Sequence, residues 1–315
     1  MTEGSRRAIF AAFLANLGIA GSKLAAFLAT GAASMLAEAV HSFADTGNQA
    51  LLLLGAARGR RAPSEEHPFG YGRERYFWAF VVALVLFSMG ALFAIAEGID
   101  KLRHPHALER AEWAIGVLAV AIVLESFSLR TAVREANAVR GSEGWWSFVR
   151  HSKSPELPVV LLEDVGALVG LVFALAGIGL AIATGEPRFD AFGSVAIGVL
   201  LAAIAVVLAK EMKSLLIGES AAPGVTAAIR GALEATPQVR RLIHLRTLHL
   251  GPEELLVAAK IELDSNLCFA DIARAIDAAE ARVRAQVPAA RLIFLEPDVM
   301  RSGESPDARE DSVRD

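Results

Sequence analysis

The chain has 315 residues, of which 54% are hydrophobic, and its mean hydropathy is +0.44. This composition is too apolar for an ordinary soluble domain of that length, so a membrane protein is predicted. The formal net charge of −4 gives no basis for nucleic-acid binding, and the single cysteine, Cys268, excludes an internal disulfide and a cysteine-cluster metal site.

Six apolar runs are long enough to cross a lipid bilayer, which takes about 20 mostly apolar residues in a helix. They lie at roughly 8–29, 33–57, 76–97, 112–133, 157–183 and 190–216. The first run follows Arg6 and Arg7, as the core of a signal peptide would, but it has full span length, so we expect a retained helix. An even number of spans places both termini on one side of the membrane.

Basic residues indicate which side that is, because Lys and Arg are enriched in cytoplasmic loops. The loops after the second and fourth spans are rich in them, and the loops on the opposite side are poorer. Both termini are therefore predicted to be cytoplasmic. The Ala- and Arg-rich composition favours a bacterial inner membrane and leaves a mitochondrial membrane open. Trp145 and Trp146, before the fifth span, are predicted interfacial anchors.

A polar stripe runs along the second span, whose central sequence is LAEAVHSFADTGNQALLLL. Glu38, His41, Asp45 and Asn48 are spaced by three or four residues and so share one face of a helix. Facing lipid would cost several kcal/mol per unpaired group, so this face is expected to meet protein or water. Hydrogen bonding to neighbouring helices would explain a lone Asn. His and Asp one turn apart at mid-span indicate an ion path or relay, and both are ligands of divalent metals.

A metal site needs further ligands from another span, and the fifth span has Glu163 and Asp164 about two turns inside the membrane. Adjacent residues on a helix point about 100° apart, so we expect one of the two to face the second span. The other would pair with a Lys or Arg or carry a proton.

Other intramembrane charges are assigned less specific roles. Lys23 in the first span is expected to snorkel to the interface rather than to pair with a site carboxylate. Glu125 in the fourth span is either a cytoplasmic entry carboxylate or the partner of Arg130. Three further polar residues near the outer span ends are expected to be structural: Glu97, His104 and Asp190.

After residue 217 the pattern changes to helix, strand, strand, helix, strand. This order predicts a small cytoplasmic α+β domain after a six-helix all-α membrane domain. The predicted boundaries are 1–217 for the membrane domain, 218–298 for the α-β-β-α-β domain and 299–315 for a disordered tail.

Several motifs in this order resemble the cation diffusion facilitator family. They are HSFAD in the second span, HPFGYGRERYF at 67–77, EGIDKLRHP at 97–105 and an aspartate early in the fifth span. The resemblance runs from about residue 8 to 298, and HSxADTxNQ and LLED are similar to the zinc transporter nine branch. It implies a ferredoxin-like cytoplasmic domain, a homodimer, and export of divalent metal from the cytoplasm in exchange for protons, by alternating access.

The resemblance also implies the site residues. His41, Asp45 and Asp164 match the transport site, whereas Val160 stands where a His or Asp is common. The shell is then completed by Glu163, Asn48 or water. The imidazole favours zinc, and manganese, iron and cobalt stay open. The metal is the transported substrate, and no cofactor is expected.

Auxiliary metal sites known in the family are eroded in this chain. In the loop after the second span His67 is kept, but Ser64 and Tyr71 stand where Asp and His are often found. In the cytoplasmic domain His244 matches one ligand, and two non-ligands occupy expected histidine positions: Lys260 and Phe294. We expect this domain to dimerise by packing, with weak or no metal binding.

Two other function classes remain as alternatives. An intramembrane metalloenzyme would need an open coordination position and a base, and the sequence has no HExxH-like helix. A metal sensor would be expected to keep the cytoplasmic ligands that this chain lacks. Transport, without enzymatic activity, is the function predicted.

Overall fold

The computed structural model describes residues 3–105 and 111–300, and the side chains of that part except at positions 3–16, 33, 41, 45, 86, 87 and 111. The chain divides into two compact units, one of residues 1–58 and 74–213 and one of residues 59–73 and 214–315. The last fifteen residues, which make up most of the predicted disordered tail, lie outside the described part.

The first unit is helical. Its elements are α1 (Glu3–Thr30), α2 (Ala33–Arg58), α3 (Glu74–Val81), a π-helical turn (Val82–Phe87), α4 (Ser88–Arg103), α5 (Ala111–Arg140), α6 (Trp145–His151), α7 (Glu156–Thr184) and α8 (Arg188–Ile217). Five of the six predicted spans coincide with a single helix each. The third coincides with the continuous helical segment made by α3, the π-helical turn and α4.

Four of these helical segments are long and apolar enough to cross a membrane, counted within the described residues: Glu74–Arg103, Glu112–Arg140, Glu156–Thr184 and Arg188–Ile217. In α1 the described side chains add the shorter apolar stretch Leu17–Thr30. At 1.5 Å per residue a 30-residue helix is about 45 Å long, which exceeds the roughly 30 Å of a bilayer's hydrocarbon core. The chain is a multi-pass membrane protein.

Four helices enclose the interior where the polar stripe lies. α1 packs against α2 and α5, and α7 packs against α2 and α5, so the four form a ring. The turn between α1 and α2 is very short because Gly31 has a φ of 63°, a left-handed conformation that glycine adopts without strain. Its amide donates to the carbonyl of Phe27 at 2.7 Å and so ends α1.

The second unit contains α9 (Pro223–Glu234), β1 (Val239–Gly251), β2 (Glu254–Leu263), α10 (Phe269–Gln286) and β3 (Leu292–Pro297). The sheet has the order β1-β2-β3, with β1 and β2 antiparallel and β2 and β3 parallel. Alternate residues of β2 are buried against the two helices, as the period of a half-buried strand requires. The predicted α-β-β-α-β order is confirmed.

The loop Gly59–Arg73, which joins α2 to α3, packs on this sheet. A Cβ added at Gly72 would lie 2.7 Å from the carbonyl oxygen of Leu250 and 3.1 Å from the Cα of Gly251. The backbones approach so closely that only glycine fits at position 72 without a shift.

Candidate functional site

The described side chains of the polar stripe of α2 point into the four-helix ring. Glu38 and Asn48 are 0% and 1% exposed and Ser42 is also buried, whereas Phe43 is 42% exposed. This is the inward orientation that the helical spacing predicts. The side chains of His41 and Asp45 lie outside the described part. Their backbone is helical, and their spacing places them on the face of Glu38 and Asn48.

Lys23 does not snorkel, and that expectation is wrong. Its ammonium is fully buried in α1, 3.0 Å from Oε2 of Glu38 and 2.7 Å from the hydroxyl oxygen of Ser42. Position 23 faces α2 across a short turn, so the nearest compensation for its charge is a carboxylate in the interior. Lys23 therefore forms an ion pair in the interior instead of extending its ammonium to water.

The two acidic residues of α7 are both buried in the interior. Both carboxylate oxygens of Asp164 accept hydrogen bonds from the hydroxyl of Ser128 on α5, at 3.1 Å each. Glu163 is buried next to it on the same helix. The sequence did not indicate the bond of Ser128 to Asp164, because that bond depends on how α5 packs on α7.

Glu125 of α5 belongs to the same charged group. Its carboxylate is electrostatically coupled to Asp164 of α7, to Glu38 of α2 and to the ammonium of Lys23.

Among the described side chains of the stripe, Asn48 is the least satisfied in hydrogen bonding. Both its amide nitrogen and its amide oxygen are buried and make no hydrogen bond within the described residues. A buried amide without partners costs about 1–3 kcal/mol, so the side chain suits a position that a water molecule or a cation occupies.

The candidate metal-binding set therefore comes from two helices that contact each other, α2 and α7. It contains His41, Asp45, Glu163 and Asp164, the residues that the sequence predicted. The described side chains by themselves contain no group of three or more His, Cys, Asp or Glu residues that could hold a metal ion. Carboxylates with one imidazole form a ligand set for divalent transition metals.

A second buried ion pair lies near the turn between α1 and α2. Asp190 of α8 is fully buried, 3.4 Å from the ammonium of Lys101 of α4, and accepts hydrogen bonds from the amide (3.3 Å) and hydroxyl of Ser34. Lys101 also donates to the carbonyl of Gly31. These bonds tie the α1–α2 turn to α4 and α8, a structural role that matches the expectation for Asp190.

Lys260 occupies an expected ligand position in the second unit. Its ammonium lies 2.9 Å from Glu296 and 3.1 Å from Asp298, and the hydrogen bond to Glu296 contributes most to raising the pKa of Lys260. The Nε2 of His244 accepts a hydrogen bond from Arg246 at 2.7 Å. Both line a pocket of about 220 Å³ with Phe294. A paired ammonium therefore stands in this pocket at a position where the resemblance led us to expect a histidine ligand.

The eroded site in the loop after α2 contains a hydrogen-bonded cluster. The hydroxyls of Ser64 and Tyr71 are 3.0 Å apart, and Ser64 also accepts from the amide of His67 at 3.1 Å. The rings of His67 and Tyr71 pack edge to face with centroids 4.6 Å apart. The side chains that replace the expected ligands therefore bond to each other.

Comparison with known proteins places this architecture in a family. Residues 9–217 match the cation efflux transmembrane domain. The chain belongs to the cation efflux family, whose members are transporters and not enzymes.

Curated relatives extend the match. The mitochondrial proton-coupled zinc antiporter SLC30A9 of Xenopus laevis is 36% identical over 247 residues, which are 78% of this chain and 44% of the relative. Metal tolerance protein C4 of Arabidopsis thaliana is 28% identical over 84% of this chain and 58% of the relative. The chain thus spans about half the length of these relatives. The copper form of the MamM CTD covers 26% of this chain and 89% of its own at 22% identity, with a TM-score of 0.24, too low to support an argument.

Proposed function

We propose that this chain exports a divalent metal cation, zinc first among the candidates, in exchange for protons by alternating access. The observation that carries the proposal is the inward polar face of α2 packed beside the buried acidic pair of α7, inside a cation efflux domain. The SLC30A9 relative is named a proton-coupled zinc antiporter, and this name supports the same assignment.

Proton coupling follows from the chemistry of the ligands. Metal binding requires a neutral imidazole at His41 and ionised carboxylates at Asp45 and Asp164, so loading displaces protons. Protonation of the same groups on the far side then releases the metal. An imidazole exchanges its proton near neutral pH, which suits it to this cycle. An inward proton gradient supplies the driving force, and a membrane potential adds about 2.3 kcal/mol per charge per 100 mV.

The metal is proposed to be zinc because one imidazole with carboxylates fits zinc better than calcium or magnesium. Manganese, iron(II) and cobalt share the same donor set and are tested beside it. Glu163, Asn48 or water is proposed to complete the coordination shell. The amide of Asn48 is buried and has no hydrogen-bond partner among the side chains that the structure describes, which supports its inclusion.

The proposed setting is an energised membrane with both termini in the cytoplasm, and a homodimer as the working form. The bacterial inner membrane is the setting that composition favours, whereas the name of the SLC30A9 relative places that protein in mitochondria. The cytoplasmic unit would dimerise by packing and not through a bound metal, since the ammonium of Lys260 occupies an expected ligand position in the pocket.

The test is uptake by proteoliposomes under an imposed pH gradient, with zinc, manganese, iron(II) and cobalt compared side by side. Asp45→Ala is expected to abolish uptake while the protein stays folded. Asp100→Ala, which changes an exposed aspartate outside the ring, serves as the matched control and should transport normally. Zinc uptake that collapses with the gradient supports the proposal. Retained uptake in Asp45→Ala, or no metal movement in any folded variant, contradicts it.

A further inference from the structure

Lys23 is a buried cation within a segment that the sequence predicts to span the membrane. Its side chain is 0% exposed and is held by Glu38 and Ser42. Burial of a charge costs several kcal/mol even when it is paired, and intramembrane charges therefore usually serve a function. Neither the stripe of α2 nor the acidic pair of α7 explains why a cation should stand among them.

The ammonium lies at the level of the predicted ligands. Ser42, which accepts its shorter hydrogen bond of 2.7 Å, directly follows His41 in α2. Glu38 precedes His41 by three residues, which is about one helical turn. Lys23 is therefore anchored to α2 within a turn of the proposed site.

The charge of Lys23 acts on more than its direct partner. Its ammonium also lies within Coulomb range of Glu125, and Glu125 lies within Coulomb range of Glu38 and of Asp164. These carboxylates come from α2, α5 and α7, so one ammonium from α1 serves a group that all four helices of the ring build.

Glu38 has acceptor capacity left on the side away from Lys23. Its Oε1 is buried, makes no hydrogen bond to any described group and points to α7, where a Cβ added at Gly170 would lie 2.6 Å from it. The carboxylate thus bridges from the ammonium toward the helix that carries Asp164.

We propose that Lys23 is a resident cation of the transport site. Its ammonium neutralises the interior carboxylates when the divalent ion has left, and its positive charge weakens the binding of the next ion. Lysine suits this role because its charge is compact and its four-carbon stem is flexible, so the ammonium can move between Glu38 and Glu125. A ring with this many carboxylates and no fixed cation would hold a divalent ion too tightly to release it.

The inference rests on the proposed function, and it assigns Lys23 a positioning role through charge rather than contact with the metal. The competing explanation is that Lys23 only neutralises Glu38 and stabilises the fold. The two explanations predict different effects of Lys23 on the Kd of the divalent ion, because only a resident cation opposes the entering ion.

The experiment is equilibrium binding of Zn²⁺ and Co²⁺ to the full chain in lipid nanodiscs, measured by calorimetry. Lys23→Met is expected to lower the Kd by about 5- to 150-fold, the usual range of coupling between two sites. Lys23→Arg, which keeps the charge, should restore a Kd close to that of the unmodified chain. The tighter-binding variant should also turn over more slowly in proteoliposomes, because release becomes harder.

Matched variants separate charge from folding. Lys101→Met removes the other buried lysine, which pairs with Asp190, and should leave the Kd unchanged. If Lys23→Met does not fold, Lys23→Gln takes its place, because the glutamine amide can still form hydrogen bonds with Glu38 and Ser42. Glu38→Gln frees the ammonium from its partner and should raise the Kd.

The outcomes distinguish this inference from the proposed function. If the unmodified chain binds Zn²⁺ and Asp45→Ala does not, while Lys23→Met or Lys23→Gln is folded and has an unchanged or higher Kd, the resident-cation inference is overturned. An unchanged Kd in Glu38→Gln overturns it as well. If the unmodified chain and Asp45→Ala bind Zn²⁺ equally, the proposed function itself has failed.

Discussion

At the scale of single residues, the carboxylate of Asp164 on α7 is oriented by a side chain of another helix, α5. Both of its oxygens accept hydrogen bonds from the hydroxyl of Ser128. Such bonds orient a ligand before the metal arrives, and their loss in metal sites typically costs 10- to 100-fold in affinity. The orientation of Asp164 is therefore expected to depend on α5 and not only on α7.

Ser128→Ala should weaken Zn²⁺ binding by at least about tenfold, because the carboxylate of Asp164 loses the donor that orients it. Calorimetric titration of the full chain measures the effect. Ser126→Ala is the matched control, since its hydroxyl donates to the carbonyl of Ile122 on its own helix. Equal Kd values for the two variants would show that Ser128 does not support the site.

Periodicity along one helix made the inward face of α2 predictable, because Glu38, Asn48 and their neighbours share a spacing of three and four residues. The partners of these residues were not predictable in the same way. Lys23 was expected at the interface and is instead paired with Glu38, since the alternative partner lies on the neighbouring helix of a tight hairpin.

At the scale of elements, glycines set how closely α4 and α8 pack. A Cβ at Gly98 would lie 2.9 Å from the carbonyl oxygen of Ala191, and one at Gly198 would lie 2.8 Å from the carbonyl oxygen of Ala91. The hydroxyl of Ser194 donates to the carbonyl of Ala94 at 2.9 Å across the same contact. Small residues at such positions let helix backbones approach where lipid offers no hydrophobic driving force.

Gly198→Ala should destabilise the membrane unit by about 1–3 kcal/mol, because the added methyl group meets backbone atoms that cannot move aside. This loss exceeds the gain of up to about 1 kcal/mol that alanine brings to a helix interior. Thermal unfolding in detergent measures the difference. Gly179→Ala on α7, where a Cβ meets nothing within 4 Å, should be neutral or stabilising. A Gly198→Ala variant as stable as Gly179→Ala would refute the close-packing account.

At the scale of the whole molecule, the two compact units do not follow the order of the chain. The loop Gly59–Arg73 directly follows α2, the helix that carries the polar stripe. This loop nevertheless packs with the sheet unit, through the close approach of Gly72 to Gly251. The chain therefore crosses between the two units three times, at residues 58/59, 73/74 and 213/214.

The predicted orientation has a direct test because Cys268 is the only cysteine and is exposed. A membrane-impermeant maleimide should label Cys268 in inside-out vesicles and not in right-side-out vesicles, since the basic loops predict a cytoplasmic position for this unit. Asp100→Cys in a Cys268→Ser background provides the control at an exposed position on the opposite side and should give the reverse pattern. Labelling of Cys268 in right-side-out vesicles would show that the topology is the reverse of the predicted one.

Local physical chemistry was enough for the sequence by itself to determine the membrane class, the positions of the spans, the α-β-β-α-β order and the polar face of α2. Hydropathy, helical period and strand alternation depend on residues close together in the chain. The tertiary structure alone decided that Lys23 pairs with Glu38, that Ser128 holds Asp164 and that the α2–α3 loop joins the sheet unit. Each of these depends on which faces of distant segments pack together, and a buried charge or hydroxyl bonds to whatever partner that packing brings within reach.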